Sequence, residues 1–209
     1  MLGLWKAIPQ PDSCILEEMA VDKFLMALPT IILIAATVEG LVEPFFKKMT
    51  TVLIFNLLGN ALVGINYFVP YLVGLKEEVT GISGAITCGI AILCLCVNYC
   101  FTSRNKKIPL WVIAIHAVVF LGANLVTFAN WYDIFAMVAA LLFVLSIAQD
   151  STKYYRLLYI SNSLVWIIYD VLAGAWENLA THSVLFVAIF ISILIRDGKK
   201  AKKEKEQAL

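Results

Sequence analysis

A chain of 209 residues that is 61% hydrophobic and only 15% charged is poorly suited to a soluble domain, where about 45–50% apolar and about 25% charged side chains are usual. With a mean hydropathy of +0.86, an all-α integral membrane protein is expected. The formal net charge of +1 gives no reason to expect a nucleic-acid partner, and the information lies in where the charges fall.

Taken from the N-terminus, Ile8 to Ser13 carries two prolines that break any early apolar run, and acidic Glu17, Glu18 and Asp22 follow. Residues 1–23 therefore read as an extracytoplasmic segment and not as a leader to be cleaved. A membrane span needs about 20 mostly apolar residues. Seven stretches qualify: 24–42, 51–73, 82–101, 108–128, 132–148, 157–176 and 180–195. Glu39 lies near the end of the first, and the fifth is short.

Between the spans the charges alternate. Lys47 and Lys48, Arg104, Lys106 and Lys107, Lys153 and Arg156, and the six basic residues of 196–209 fall on one side, 13 of the 16 in the chain. Lys6, Lys23 and Lys76 fall on the other, beside Glu77, Glu78 and Glu177. Basic loops stay cytoplasmic, so the expectation is a multi-pass protein with its N-terminus outside and its C-terminus in the cytoplasm. The tail at 196–209 reads as a topology signal, with contact to anionic headgroups of the lipid bilayer as a second reading.

The chain also repeats. Asn60 to Phe68 reads Asn-Ala-Leu-Val-Gly-Ile-Asn-Tyr-Phe, Asn162 to Asp170 reads Asn-Ser-Leu-Val-Trp-Ile-Ile-Tyr-Asp, and a shift of 102 residues matches five of nine positions. The shift lays the second span on the sixth and the third on the seventh without a gap. The first falls on the fifth after a change in loop length, and the fourth is left over. The expected architecture is seven transmembrane helices in a 3+1+3 parallel duplication: a three-helix bundle over 24–101, a linker helix over 108–128 and a second bundle over 132–195. In transporters built this way the site lies between the halves, near the midplane.

Polar groups inside the spans are the candidates for function, because each is costly at membrane depth. Asn56, Asn60, Gly64 and Tyr67 recur at spacings of four, four and three, one face of a helix. Asn162, Trp166, Tyr169 and Asp170 form the equivalent stripe in the sixth span. Amides and phenols beside an aromatic wall suit a small polar solute that is hydroxylated or ring-bearing. Asn60, Tyr67, Asn162, Trp166, Tyr169 and Asp170 are the expected binding residues, with Asn56, Asn66 and Asn98 as secondary lining. The competing reading is hydrogen bonding between helices, with Asn60 and Asn162 as glue.

Asp170 lies roughly 7 Å from the middle of its span toward the outer face. A carboxylate there must pair, reach a water-filled cavity or take a proton. No lysine or arginine falls within a span core to meet it, and His182, one short loop away, is the group that could titrate with it. His116 reads as a hydrogen-bond partner between helices, Asp133 as a cap for the fifth span after interfacial Trp131-Tyr132, and Glu39 and Glu43 as an interfacial charge cluster with Lys47 and Lys48. Cys88, Cys94, Cys96 and Cys100 share the third span and read as buried apolar thiols. No HExxH, phosphate loop or nucleophile elbow occurs, so no enzyme activity, metal or cofactor is expected.

From Ser83 to Asp197 the chain resembles the YgjV family of small bacterial inner-membrane proteins. The resemblance rests on Gly84-Ala85-Ile86-Thr87-Cys88-Gly89, Asn98-Tyr99, the basic turn Arg104-Asn105-Lys106-Lys107-Ile108-Pro109-Leu110-Trp111, Asn130-Trp131-Tyr132-Asp133-Ile134, and Leu164 to Asp170 with the Gly174 turn. That family looks like a distant relative of the PQ-loop superfamily, which includes SWEET sugar facilitators and PnuC-type vitamin carriers. The resemblance implies two three-helix bundles joined by a linker helix, and a facilitator or secondary transporter of a sugar-, nucleoside- or vitamin-like solute. The chain departs from the superfamily in one respect: no Pro-Gln pair ends the first or fifth span, and Pro9-Gln10 lies outside any span. The rocking hinge assigned to that pair does not carry over. The alternative expectation is a non-transporting scaffold, sensor or partner subunit. The two bundles could complete one transport path within a monomer, so the transport reading does not require an oligomer.

Overall fold

A computed structural model describes residues 12–72 and 80–207, without the side chains of 12–26, 67–72, 80–84, 177, 197 and 199–207. The Tyr67 side chain, the loop carrying Lys76, Glu77 and Glu78, and the tail lysines therefore lie outside the described residues, as does the Cys14 thiol. What is described is helical throughout. The elements are α1 (Asp12–Val42), a 3₁₀ turn (Glu43–Phe45), α2 (Met49–Leu72), α3 (Thr80–Thr102), α4 (Leu110–Val126), α5 (Asp133–Ile147), α6 (Thr152–Ala173) and α7 (Trp176–Gln207). Five stretches are long and apolar enough to cross a membrane: Ala27–Phe45, Met49–Asn66, Ala85–Thr102, Thr152–Ala173 and Asn178–Arg196. The helices α4 and α5 are apolar but shorter, at 17 and 15 residues.

The boundaries follow from local chemistry. Pro44 has no N–H and its ring clashes with the preceding turn, so α1 gives way to one turn of 3₁₀ helix. Asn105 takes a left-handed φ of 53° in the turn after α3, a conformation asparagine tolerates, and extended Pro109 opens α4. Ser151 starts α6 by accepting the Lys153 N–H at 3.3 Å. Gly174, at φ 69°, ends it, and the Ala175 N–H closes on the Asp170 carbonyl at 2.9 Å. The cap at Ser151 sets the helix start five residues before the expected apolar run. At the other extreme α7 runs on through the charged tail to Gln207, because Ala, Lys, Glu and Gln are good helix formers. Likewise α1 begins at Asp12, inside the segment expected to precede the first span.

Each helix packs against its chain neighbours and α7 returns to α1, so the seven run in sequence order around a ring. In the first three helices α2 sits between its neighbours, and in the last three α6 does. One end gathers the α1–α2, α3–α4 and α5–α6 connections, with Arg156 and Ser192 both meeting the Pro44 carbonyl and Asn98 meeting that of Ile147. Lys47, Lys48, Arg104, Lys106, Lys107 and Lys153 belong to this basic end. The opposite, aromatic end carries Trp131, Tyr132 and Trp176.

The buried core lies toward the basic end: Met49, Val52 and Leu53 of α2 meet Ala91, Cys94 and Leu95 of α3, Phe120 of α4, Ala140, Val144 and Ile147 of α5, and Tyr155 of α6. All seven helices expose large apolar side chains, Ile34, Leu58, Leu93, Val118, Val138, Leu164 and Val187 among them. Water does not tolerate an apolar surface of that extent, and a bilayer does. The cysteines divide between the two environments. Cys88 and Cys94 are buried, whereas Cys96 and Cys100 are exposed on the outward side, which corrects the expectation of four buried thiols.

Candidate functional site

Two clusters of described polar side chains bring several elements together. The first joins α1, α2 and α6 next to the core. Asn56 of α2 donates its Nδ2 to the Glu43 carboxylate at 3.0 Å and to the Tyr155 hydroxyl at 2.7 Å. The Tyr155 hydroxyl in turn donates to Glu43, closing a triangle of three buried groups. Asn60, one turn along α2, donates to the Asn56 carbonyl at 2.9 Å and to its side-chain oxygen at 3.1 Å. The Tyr155 ring stacks on Tyr159 at 5.2 Å. Glu39, one turn before Glu43, rests its carboxylate against Gly59, where any Cβ would collide with it. Its Oε1 is buried without a hydrogen-bond partner among the described residues.

Below this triangle the Pro44 carbonyl accepts from Arg156 at 3.2 Å and Ser192 at 2.6 Å. The helix break makes this carbonyl available, since it no longer belongs to the ladder of α1. The reading of Glu39 and Glu43 as an interfacial charge cluster is overturned: Glu43 is 1% exposed, while Lys47 and Lys48 are exposed on the surface. After Pro44 the chain turns the lysines outward and keeps the carboxylate in.

The second cluster lies at the aromatic end, among α5, α6 and α7. The two-residue link at Gly174 and Ala175 folds α7 back along α6, so His182 returns to Asp170 with Nδ1 2.6 Å from Oδ2. Asp170 is 1% exposed, and its other oxygen has no hydrogen-bond partner among the described residues. The His182 ring stacks on Trp166 at 5.5 Å and 12°. Trp166 meets Tyr169 edge-on at 5.5 Å, and Tyr169 meets Tyr132, just before α5, at 5.9 Å. The Asp133 carboxylate accepts from the Ala129 and Asn130 N–H groups at 2.8 and 2.7 Å. It ties the preceding loop to the start of α5, where a cap on the helix's own first turn was expected.

The nine expected residues are thus dispersed. Asn56 and Asn60 belong to the first cluster; Trp166, Tyr169 and Asp170 belong to the second. Asn162 points into neither, donating instead to the Ala139 carbonyl of α5 at 2.6 Å. Asn98 likewise joins α3 to α5 through the Ile147 carbonyl at 3.1 Å. The Asn66 side-chain oxygen is buried without a partner among the described residues, as is Nδ1 of His116. Sequence reasoning missed Glu43, Tyr155 and Tyr159. The signal available was spacing: Tyr155, Tyr159, Asn162 and Trp166 recur at intervals of four, three and four, extending the α6 stripe toward the basic end. Among the described residues no three His, Cys, Asp or Glu side chains converge as a metal site requires.

No protein-family model, curated protein or solved structure matches this chain.

Proposed function

We propose that the protein is a facilitator or secondary transporter of a small polar solute in the bacterial inner membrane, with seven spans in a 3+1+3 duplication, its N-terminus outside and its C-terminus cytoplasmic. One observation carries the reading: Glu43, Asn56 and Tyr155 bring a carboxylate, an amide and a phenol from the first and last thirds of the chain into one buried contact. Polar groups held at such depth are expensive and mark solute or ion pathways. A contact joining the two expected halves is where a moving pair of bundles would enclose its cargo. The resemblance to a transporter superfamily points the same way and supplies the solute class of sugars, nucleosides and vitamin-like molecules.

The test is uptake into proteoliposomes from a panel of sugars, nucleosides, vitamins and amino acids, with Glu43→Gln and Asn56→Ala as variants. At least one solute accumulates above protein-free vesicles, and Glu43→Gln lowers its uptake about tenfold or more, the scale of losing one charge-assisted hydrogen bond. A flat panel with folded protein sinks the proposal. The second reading, a non-transporting scaffold or partner subunit, is favoured by Asn98 and Asn162, whose amides serve contacts between helices. Under it, the same variants alter melting temperature alone.

A further inference from the structure

The aromatic end holds a carboxylate oxygen with no partner at the inner end of a line of rings. Trp131, 68% exposed, meets Tyr132 at 5.9 Å. Tyr132 leads to Tyr169 and Tyr169 to Trp166, and Trp166 lies face to face with His182, which contacts Asp170. His182 occupies one oxygen of Asp170 and leaves the other, Oδ1, buried and unpartnered among the described residues. A buried carboxylate oxygen needs a hydrogen-bond partner, and the groups beside it are aromatic rings, whose quadrupole attracts cations.

We infer that this end of the bundle binds an organic ammonium group, which passes along Trp131, Tyr132, Tyr169 and Trp166 and seats its charge against Asp170. The carboxylate supplies the hydrogen-bond acceptor and counter-charge, and the rings supply cation–π contact and exclude water. His182 holds the acid in place through Oδ2, and its ring forms the wall beside Trp166. Asp133, within electrostatic reach of Tyr169, is engaged by the loop amides and adds negative potential to the approach. The same chemistry suits a free amine-bearing solute and the headgroup of an ethanolamine lipid, since the line begins at Trp131 and Tyr132, aromatics of the kind enriched at membrane interfaces. The inference deepens the transport reading by naming a cationic solute class, and it leans on that reading only for passage beyond Asp170.

The test is a titration of tryptophan fluorescence of the purified full chain in lipid nanodiscs. The probes are 2-phenylethylammonium and its neutral counterpart 2-phenylethanol. The ammonium quenches saturably, the alcohol does so at least about tenfold more weakly, and Asp170→Asn, which keeps the shape and a bond to His182, removes the difference. Tyr132→Leu, in the turn before α5, weakens the ammonium response without touching the Asp170–His182 contact, so the inference stays testable if Asp170→Asn fails to fold. Equal responses to amine and alcohol, or an unchanged titration in both variants, overturn it. In discs made with phosphatidylethanolamine, weaker probe binding than in phosphatidylglycerol alone assigns the site to the headgroup; equal binding assigns it to a free solute. Ammonium binding without uptake removes the transport reading alone, and uptake that depends on Glu43 without ammonium binding removes this inference alone.

Discussion

Tyr155 carries more of the interior than its position near the start of α6 suggests. Its hydroxyl both accepts from Asn56 and donates to Glu43, so a single oxygen links the 3₁₀ turn after α1 to α2 and α6. Tyr155→Phe keeps the ring on Tyr159 and deletes only that oxygen. The expected loss is about 1–3 kcal/mol, the cost of leaving buried polar partners unsatisfied, read as a lower melting temperature in detergent. An unchanged melting temperature would remove the hydroxyl from the network. The amides of this cluster were visible in the sequence because Asn56 and Asn60 repeat on one helical face. The carboxylate was not. Lysines four and five positions after Glu43 invite an ion-pair reading, and nothing in composition says that Pro44 separates acid from base by turning the chain.

Helices were more legible than their ends. Apolar runs located all seven, because a backbone that leaves water has to satisfy its hydrogen bonds internally. Runs of hydrophobicity cannot see caps, however, and α6 starts where Ser151 supplies a side-chain acceptor and stops where Gly174 supplies a left-handed φ. That glycine also aims α7. A β-carbon at φ 69° strains against the next carbonyl, so Gly174→Ala should cost about 1–2 kcal/mol. Because the link sets the register of α7 on α6, the same substitution should also disturb the Trp166–His182 stack and shift tryptophan emission. A variant with wild-type melting and emission would show that the link tolerates a side chain. The 102-residue shift pairs α2 with α6, and each is seated between its chain neighbours. It did not find equivalent contacts: Asn60 bonds within its own helix and Asn162 bonds to α5. The two segments share the amides and not their partners.

For the molecule as a whole, charge is the readable quantity. The connections at one end hold Lys47, Lys48, Arg104, Lys106, Lys107 and Lys153, and the described connections at the other hold no lysine or arginine. That asymmetry predicts orientation through the basic-loops rule. In a cysteine-free background, Asn130→Cys should react with an impermeant maleimide on intact cells, and Lys106→Cys should react only after lysis. The inverse pattern would turn the protein over in the membrane, and labelling of both sites on intact cells would defeat the multi-pass arrangement. The order of helices around the ring was beyond the sequence. Apolar faces say which sides are hidden, and every helix here hides one against two neighbours.

The Pro44 carbonyl, held by Arg156 of α6 and Ser192 of α7 at once, has a mechanical consequence. It works as a bolt with two tongues: α1 cannot swing from α6 without also letting go of α7. Drawing one tongue does not free the door. Parting the basic end therefore means losing both contacts together, and Ser192→Ala, which removes one, should lower the melting temperature while the other still holds.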